Sequence, residues 1–162
     1  MQKSTSETLI QGLTAGLIGY GTVVVLYGVV NMAAGQAPWE TAARLGAELL
    51  GPSRIGQPGA EFGPVVAFNG VHLLVSLAAG MAASWLFFET ELHPRQYYAV
   101  LAALIVGLVG VTVVLGVLGA SVAGAVSWGS VTLAVLAAAG TMGGYLWWAH
   151  PRLRAELAEL DE

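Results

Sequence analysis

Asn69, His72 and Ser76 are the residues whose types and spacing could do chemistry in this chain. They stand at i, i+3 and i+7, which puts three polar side chains on one face of a helix. The apolar run around them extends from Gly63 to Phe88. His72 is the sole Asp, Glu, Lys, Arg or His inside any membrane-length run of the sequence. At about 1.5 Å of rise per residue, an imidazole eight residues past Pro64 lies about 12 Å along the helix. That is hydrocarbon depth, where an ionisable group marks a candidate functional site.

Several chemistries could use such a group, and each needs more than one residue. A bis-histidine haem needs a second imidazole across the ring. His93 and His150 fall at the opposite end of the expected bundle, so no haem is expected within one chain. His72 stays a candidate ligand for haem or quinone shared with a partner chain, which would make the protein a membrane anchor. A zinc or di-iron centre needs three or four converging ligands. The nearest approach to that is Glu89, Glu91 and His93, expected on a short solvated loop before Pro94, so no metal is expected. Proton relays use chains of Asp, Glu and His, and the spans contain no carboxylate. A small homo-oligomeric transporter or channel would route its substrate along Asn69, His72 and Ser76. It would do so without a charged ring and without the broken helix pairs of many transporters. Gly19-Tyr20-Gly21 lies inside a span, not after a strand, and is no nucleotide motif. With no nucleophile beside a base and no phosphate loop, the chain is not expected to be an enzyme by itself.

The plainer reading of His72 is a neutral imidazole hydrogen-bonded in the bundle. Depth matching across antiparallel helices brings Tyr27 and Thr112 to about its level, with Thr132 slightly nearer the surface. Measured intramembrane hydrogen bonds average about 0.6 kcal/mol. On this reading the polar stripe fastens the bundle or a partner.

The elements that hold these residues follow from hydropathy. The chain is 56% hydrophobic and 10% charged with mean hydropathy +0.72, whereas a soluble domain carries about 25% charged residues. From Gln96 to Ala149 there is no charged residue or histidine, too long a run for one crossing of about 20 residues. Four spans are expected, at about 8–32, 63–88, 97–118 and 126–149. Cysteine is absent, which excludes disulfides and thiol chemistry. No basic stripe exists, so no nucleic-acid partner is expected. The first apolar run is longer than a signal peptide's 7–15 residues and is expected to be retained.

Small residues mark the expected helix contacts. Gly12 and Gly16 form a small-xxx-small pair in the first span, and Ser130, Ala134, Ala137, Thr141 and Gly144 form a seam in the last. Between the first two spans, about residues 38–50 read as an amphipathic helix in the membrane interface. Pro38 suits its start and Gly51 its end. Glu40, Arg44 and Glu48 share one face, and Trp39, Leu45, Leu49 and Leu50 the other. Lys3, Arg95, Arg152 and Arg154 on one side against Arg44 and Arg54 on the other place both termini in the cytoplasm.

The expected fold is therefore all-α: one membrane domain, a bundle of four transmembrane helices with a short external amphipathic helix after the first. The expected location is the cytoplasmic membrane of a bacterium or archaeon. The expected function is a non-catalytic accessory subunit of a larger membrane complex, with respiratory or photosynthetic electron-transfer assemblies as hosts. Twenty-two glycines exceed what four helices need to pack on themselves. The expected partners are lipid and other membrane subunits, with hetero-oligomers favoured over homo-oligomers.

Overall fold

The computed structural model describes residues 5–50, 62–92, 128–151 and 153–155. Its regular elements are helices: α1 (Thr5–Ala33), α2 (Glu40–Leu50), α3 (Phe62–Leu92) and α4 (Trp128–Ala149). Three of them, α1, α3 and α4, are long and apolar enough to cross a membrane. The span expected at 97–118, with Thr112, lies outside the described residues. So do His93 and the loop after Gly51.

α1 is the central helix, packed along α3 on one side and α4 on the other, and α2 rests on α3. Contacts run in opposite directions along the α1–α3 pair. Ser84 Oγ donates to the Thr8 carbonyl (2.9 Å), Gly12 faces Met81, and Gly16 faces Leu77. α1 is also antiparallel to α4, with Gly19 against Met142 and Thr22 Oγ1 3.0 Å from Thr141 Oγ1. α3 and α4 therefore run parallel to each other. They approach where the Phe87 and His150 rings lie 5.5 Å apart.

Along the α1–α3 seam and the first half of α4 the interior is made of small residues, because lipid tails are as apolar as leucine and large side chains gain little by turning inward. Ala15, Ser76, Ser84 and Ala134 are buried, while Val25 and Leu74 are 65% and 68% exposed. Close backbone approach replaces side-chain burial. A Cβ on Gly16 would stand 2.6 Å from the Leu77 Cα, and one on Gly80 would run into the Gly12 carbonyl and the Gly16 backbone. Gly12 and Gly16 thus serve the α1–α3 contact.

α1 ends in a Schellman turn. Gly35 takes the left-handed conformation (φ 70°), Gln36 N–H reaches the Asn31 carbonyl (2.9 Å), and Gly35 N–H reaches that of Met32 (3.0 Å). The turn sends the chain back toward α3. Buried Asn31 then fixes α2, donating from Nδ2 to the Pro38 carbonyl (3.1 Å) and accepting from Thr41 Oγ1 (2.9 Å). α2 docks through Thr41, Gly46 and Ala47, with Gly46 directly on the Pro64 carbonyl. Its large apolar residues Trp39, Leu49 and Leu50 stay exposed. Arg44 Nε and Glu40 Oε1 pair at 2.8 Å one turn apart.

α3 extends beyond Phe88 to Leu92, so Glu89 and Glu91 ride on its last turn and not on a loop. Trp85, Trp147 and Trp148 are exposed toward the end of the bundle that carries the start of α1, and Trp39 and Phe62 are exposed at the α2 end. Aromatic residues at both ends match the two interfaces of a bilayer.

Candidate functional site

Asn69, His72 and Ser76 lie on the inward half of α3, yet they do three different things. Ser76 is buried in the α1–α3 seam, where its carbonyl oxygen would stand 2.7 Å from a Cβ on Gly16. Backbone approach closes that position. Asn69 links the helices: its Oδ1 accepts from the Tyr20 hydroxyl (3.0 Å), and its Nδ2 donates to the Val65 carbonyl one turn earlier (2.8 Å).

His72 is held by rings. Phe68, one turn away on α3, stacks almost parallel to it (centroids 5.8 Å, 7°). Tyr20 from α1 is tilted against it (5.4 Å, 39°). The imidazole Nε2 is buried and has no hydrogen-bond partner among the described residues. Leaving a buried polar atom unpaired costs about 1–3 kcal/mol, and hydrocarbon offers no water to offset it.

Two of the three hydroxyls expected near His72, those of Tyr27 and Thr132, are placed elsewhere. The Tyr27 side chain hydrogen-bonds Ser130 of α4, and Thr132 lies on the exposed side of α4. Helix direction explains the difference: the α1–α3 register brings Tyr20, two turns before Tyr27, to the level of Asn69 and His72. In the sequence Tyr20 stands out only within Gly19-Tyr20-Gly21. Continuing the antiparallel register from Gly12 and Gly16 is the signal that finds it.

The expected α4 seam divides in a similar way. Ser130 meets Tyr27, Ala134 is buried, Ala137 is half-buried, and Thr141 meets Thr22. Gly144 turns outward, with nothing among the described residues where a Cβ would be. These five residues repeat every 3.5 positions, and a straight helix drifts about 20° per heptad from such a repeat. By the end of α4 the contact has passed to Met142, against Gly19, and to fully buried Leu146.

Phe87 and His150 close the bundle at its other end. His150 is buried, and its Nδ1 donates to the Leu146 carbonyl (2.8 Å). Fifteen residues separate His72 from Phe87, about 22 Å along α3, so His72 and His150 cannot share one haem plane. Among the described residues no group of three or more His, Asp or Glu gathers for a metal ion.

The Tyr20–Asn69 bond is open to direct test. Tyr20→Phe should lower the stability of the purified protein by about 0.6 kcal/mol, the usual worth of an intramembrane hydrogen bond. Unfolding in detergent measures it, and a loss several times larger would show that Tyr20 does more than hold Asn69.

The fold defines the class as an α-helical integral membrane protein, on the strength of three helices long and apolar enough to span a membrane. No protein-family model matches the chain, and neither a characterised protein nor a solved structure matches it.

Proposed function

We propose that the chain is a non-catalytic subunit that packs into a larger membrane complex through small residues on its lipid-facing surface. The division among its glycines carries this reading. Gly12, Gly16 and Gly80 are used where α1 meets α3. Gly140 and Gly144, one turn apart, lie exposed on α4 with nothing among the described residues where a Cβ would be. Glycine within a helix costs about 1 kcal/mol relative to alanine. In lipid that cost is offset when another backbone comes close.

The proposed assembly is hetero-oligomeric, in the cytoplasmic membrane of a bacterium or archaeon. Respiratory and photosynthetic electron-transfer assemblies are the hosts we favour, because such assemblies carry small helical subunits. We further propose four crossings. The parallel directions of α3 and α4 support this, since Leu92 and Trp128 then stand on opposite sides of the bundle and the chain has to return between them. Both termini are assigned to the cytoplasm by the balance of Lys and Arg. A substrate route through one chain draws less support, because Ser76 sits in a closed helix contact.

Purification in mild detergent, followed by mass spectrometry of co-eluting chains, tests the reading. A stoichiometric membrane partner should co-purify with the wild type and be lost from Gly140→Leu/Gly144→Leu. The isolated double variant should stay within about 0.5 kcal/mol of wild-type stability, as for surface substitutions. A stable particle containing this chain alone would overturn the proposal.

A further inference from the structure

We propose that His72, between the Phe68 and Tyr20 rings, is the hydrogen-bonding point of a binding site for an uncharged, planar, carbonyl-bearing ring dissolved in the membrane, the headgroup chemistry of a quinone. This inference holds whether or not the chain works inside a larger complex.

The first support is an exception. Several polar side chains of the helix contacts are paired: Tyr20 with Asn69, Thr22 with Thr141, Tyr27 with Ser130 and Ser84 with the Thr8 carbonyl. His72 Nε2 is not, among the described residues. Gln11 Oε1 shares that state, but it lies near the start of α1; the buried His150 ring sits at the end of α4, where its Nδ1 is already bonded to the Leu146 carbonyl. One imidazole nitrogen near mid-span is thus left available beside aromatic walls.

The surroundings select the ligand. No Asp, Glu, Lys or Arg lies in residues 8–33, 62–88 or 128–149, so nothing at the depth of His72 on these helices would balance a charged ligand. Depth excludes a ligand that cannot enter from lipid. The flanking rings favour a flat partner, since offset or edge-on ring pairs add about 0.5–1.5 kcal/mol beyond their burial. Imidazole also suits both hydrogen-bonding forms of such a ring. With Nε2 protonated it donates to a carbonyl oxygen; in the other tautomer Nε2 accepts from a ring hydroxyl. Protein shields Nε2 from acyl chains, and the half-buried Tyr20 ring lies against the imidazole, so a ligand reaches the nitrogen only if that ring gives way. The same nitrogen could be approached by the ester carbonyl of a phospholipid, and the test separates the two.

The chain contains three histidines, so nitrogen resonances from 15N-histidine can be assigned by substituting His72. The full chain is placed in nanodiscs of ester-linked phosphatidylcholine, in ether-linked nanodiscs, and in each with a benzoquinone bearing a short alkyl chain. We expect the His72 Nε2 resonance to move saturably with the benzoquinone in both lipids. Tryptophan quenching should show binding roughly tenfold weaker in His72→Leu, as for loss of one buried hydrogen bond. His72→Gln, whose amide both donates and accepts, should recover most of the affinity. An unmoved Nε2 resonance in the wild type overturns the proposal, even if His72→Leu fails to fold. Equal affinity in a folded His72→Leu also overturns it. A resonance that differs between ester and ether lipids but ignores the benzoquinone assigns the nitrogen to lipid, and the quinone proposal falls.

Discussion

Gly80→Val should be the most damaging single substitution in the described part of the chain. A Cβ at residue 80 collides with the Gly12 carbonyl and would stand 2.7 Å from the Gly16 Cα. Both obstacles are backbone, so no rotamer change relieves them, and the helices have to separate. Overpacking in a well-filled core costs about 1–3 kcal/mol, occasionally more, and this site should fall at the upper end. Separation would also stretch the Ser84–Thr8 bond on one side and the Tyr20–Asn69 bond on the other. Unfolding of the purified protein in detergent measures the loss. A Gly80→Val protein as stable as the wild type would mean that the two helices do not meet along this seam. Gly19 offers an informative contrast, because a Cβ there meets the flexible Met142 side chain. Gly19→Ala should therefore cost less than Gly80→Ala.

The same glycines show how far the sequence could be read. That α1, α3 and α4 can cross a membrane is visible in hydropathy alone, because each run exceeds what a hydrocarbon core needs. Gly12 and Gly16 announce a close contact by their spacing. Their partner is not visible there, since small residues recur on every span and nothing in their spacing says which faces meet. Gly80 could be read as part of the small-residue stripe on α3, but not as the residue that fits between Gly12 and Gly16. Gly144 shows the converse. A 3.5-residue repeat places it with Ser130 and Ala134, whereas the straight helix carries it off the contact.

The polar cluster was legible in part for a related reason. His72 stands out because ionisable groups are expensive in lipid, and Asn69 shares its face at helical spacing. Which hydroxyl reaches them depends on the vertical register of two helices. Counting residues from assumed membrane edges leaves that uncertain by a turn or more. Each turn is about 5.4 Å, and a shift of two turns replaces Tyr20 with Tyr27. Span ends blur for the same physical reason. α3 carries Glu89 and Glu91 on its final turn because a helix does not stop where hydrocarbon ends.

Asn31→Leu should release α2 while leaving the α1–α3 seam in place. The substitution removes the acceptor of Thr41 Oγ1 and the donor to the Pro38 carbonyl at a buried position. Leaving such groups unpaired costs about 1–3 kcal/mol. The loss should stay local, because Asn31 lies fifteen residues from Gly16, about 22 Å along α1. Hydrogen exchange in detergent should therefore show faster exchange over Glu40–Leu50 with little change around Gly12 and Gly16. Gly46→Leu should reproduce that pattern from the other side of α2, because its side chain would displace the helix from the Pro64 carbonyl. Unchanged protection of α2 in both variants would show that it is held by something other than these contacts. The distinction bears on what α2 does. A lid has to open on the timescale of binding, and a helix tied by two side-chain bonds, one of them buried, and seated on a backbone carbonyl through a glycine is built to stay. With Trp39, Leu49 and Leu50 exposed, it is better suited to a fixed cap in the bilayer interface, so loosening it should change assembly in the membrane before it changes access to His72.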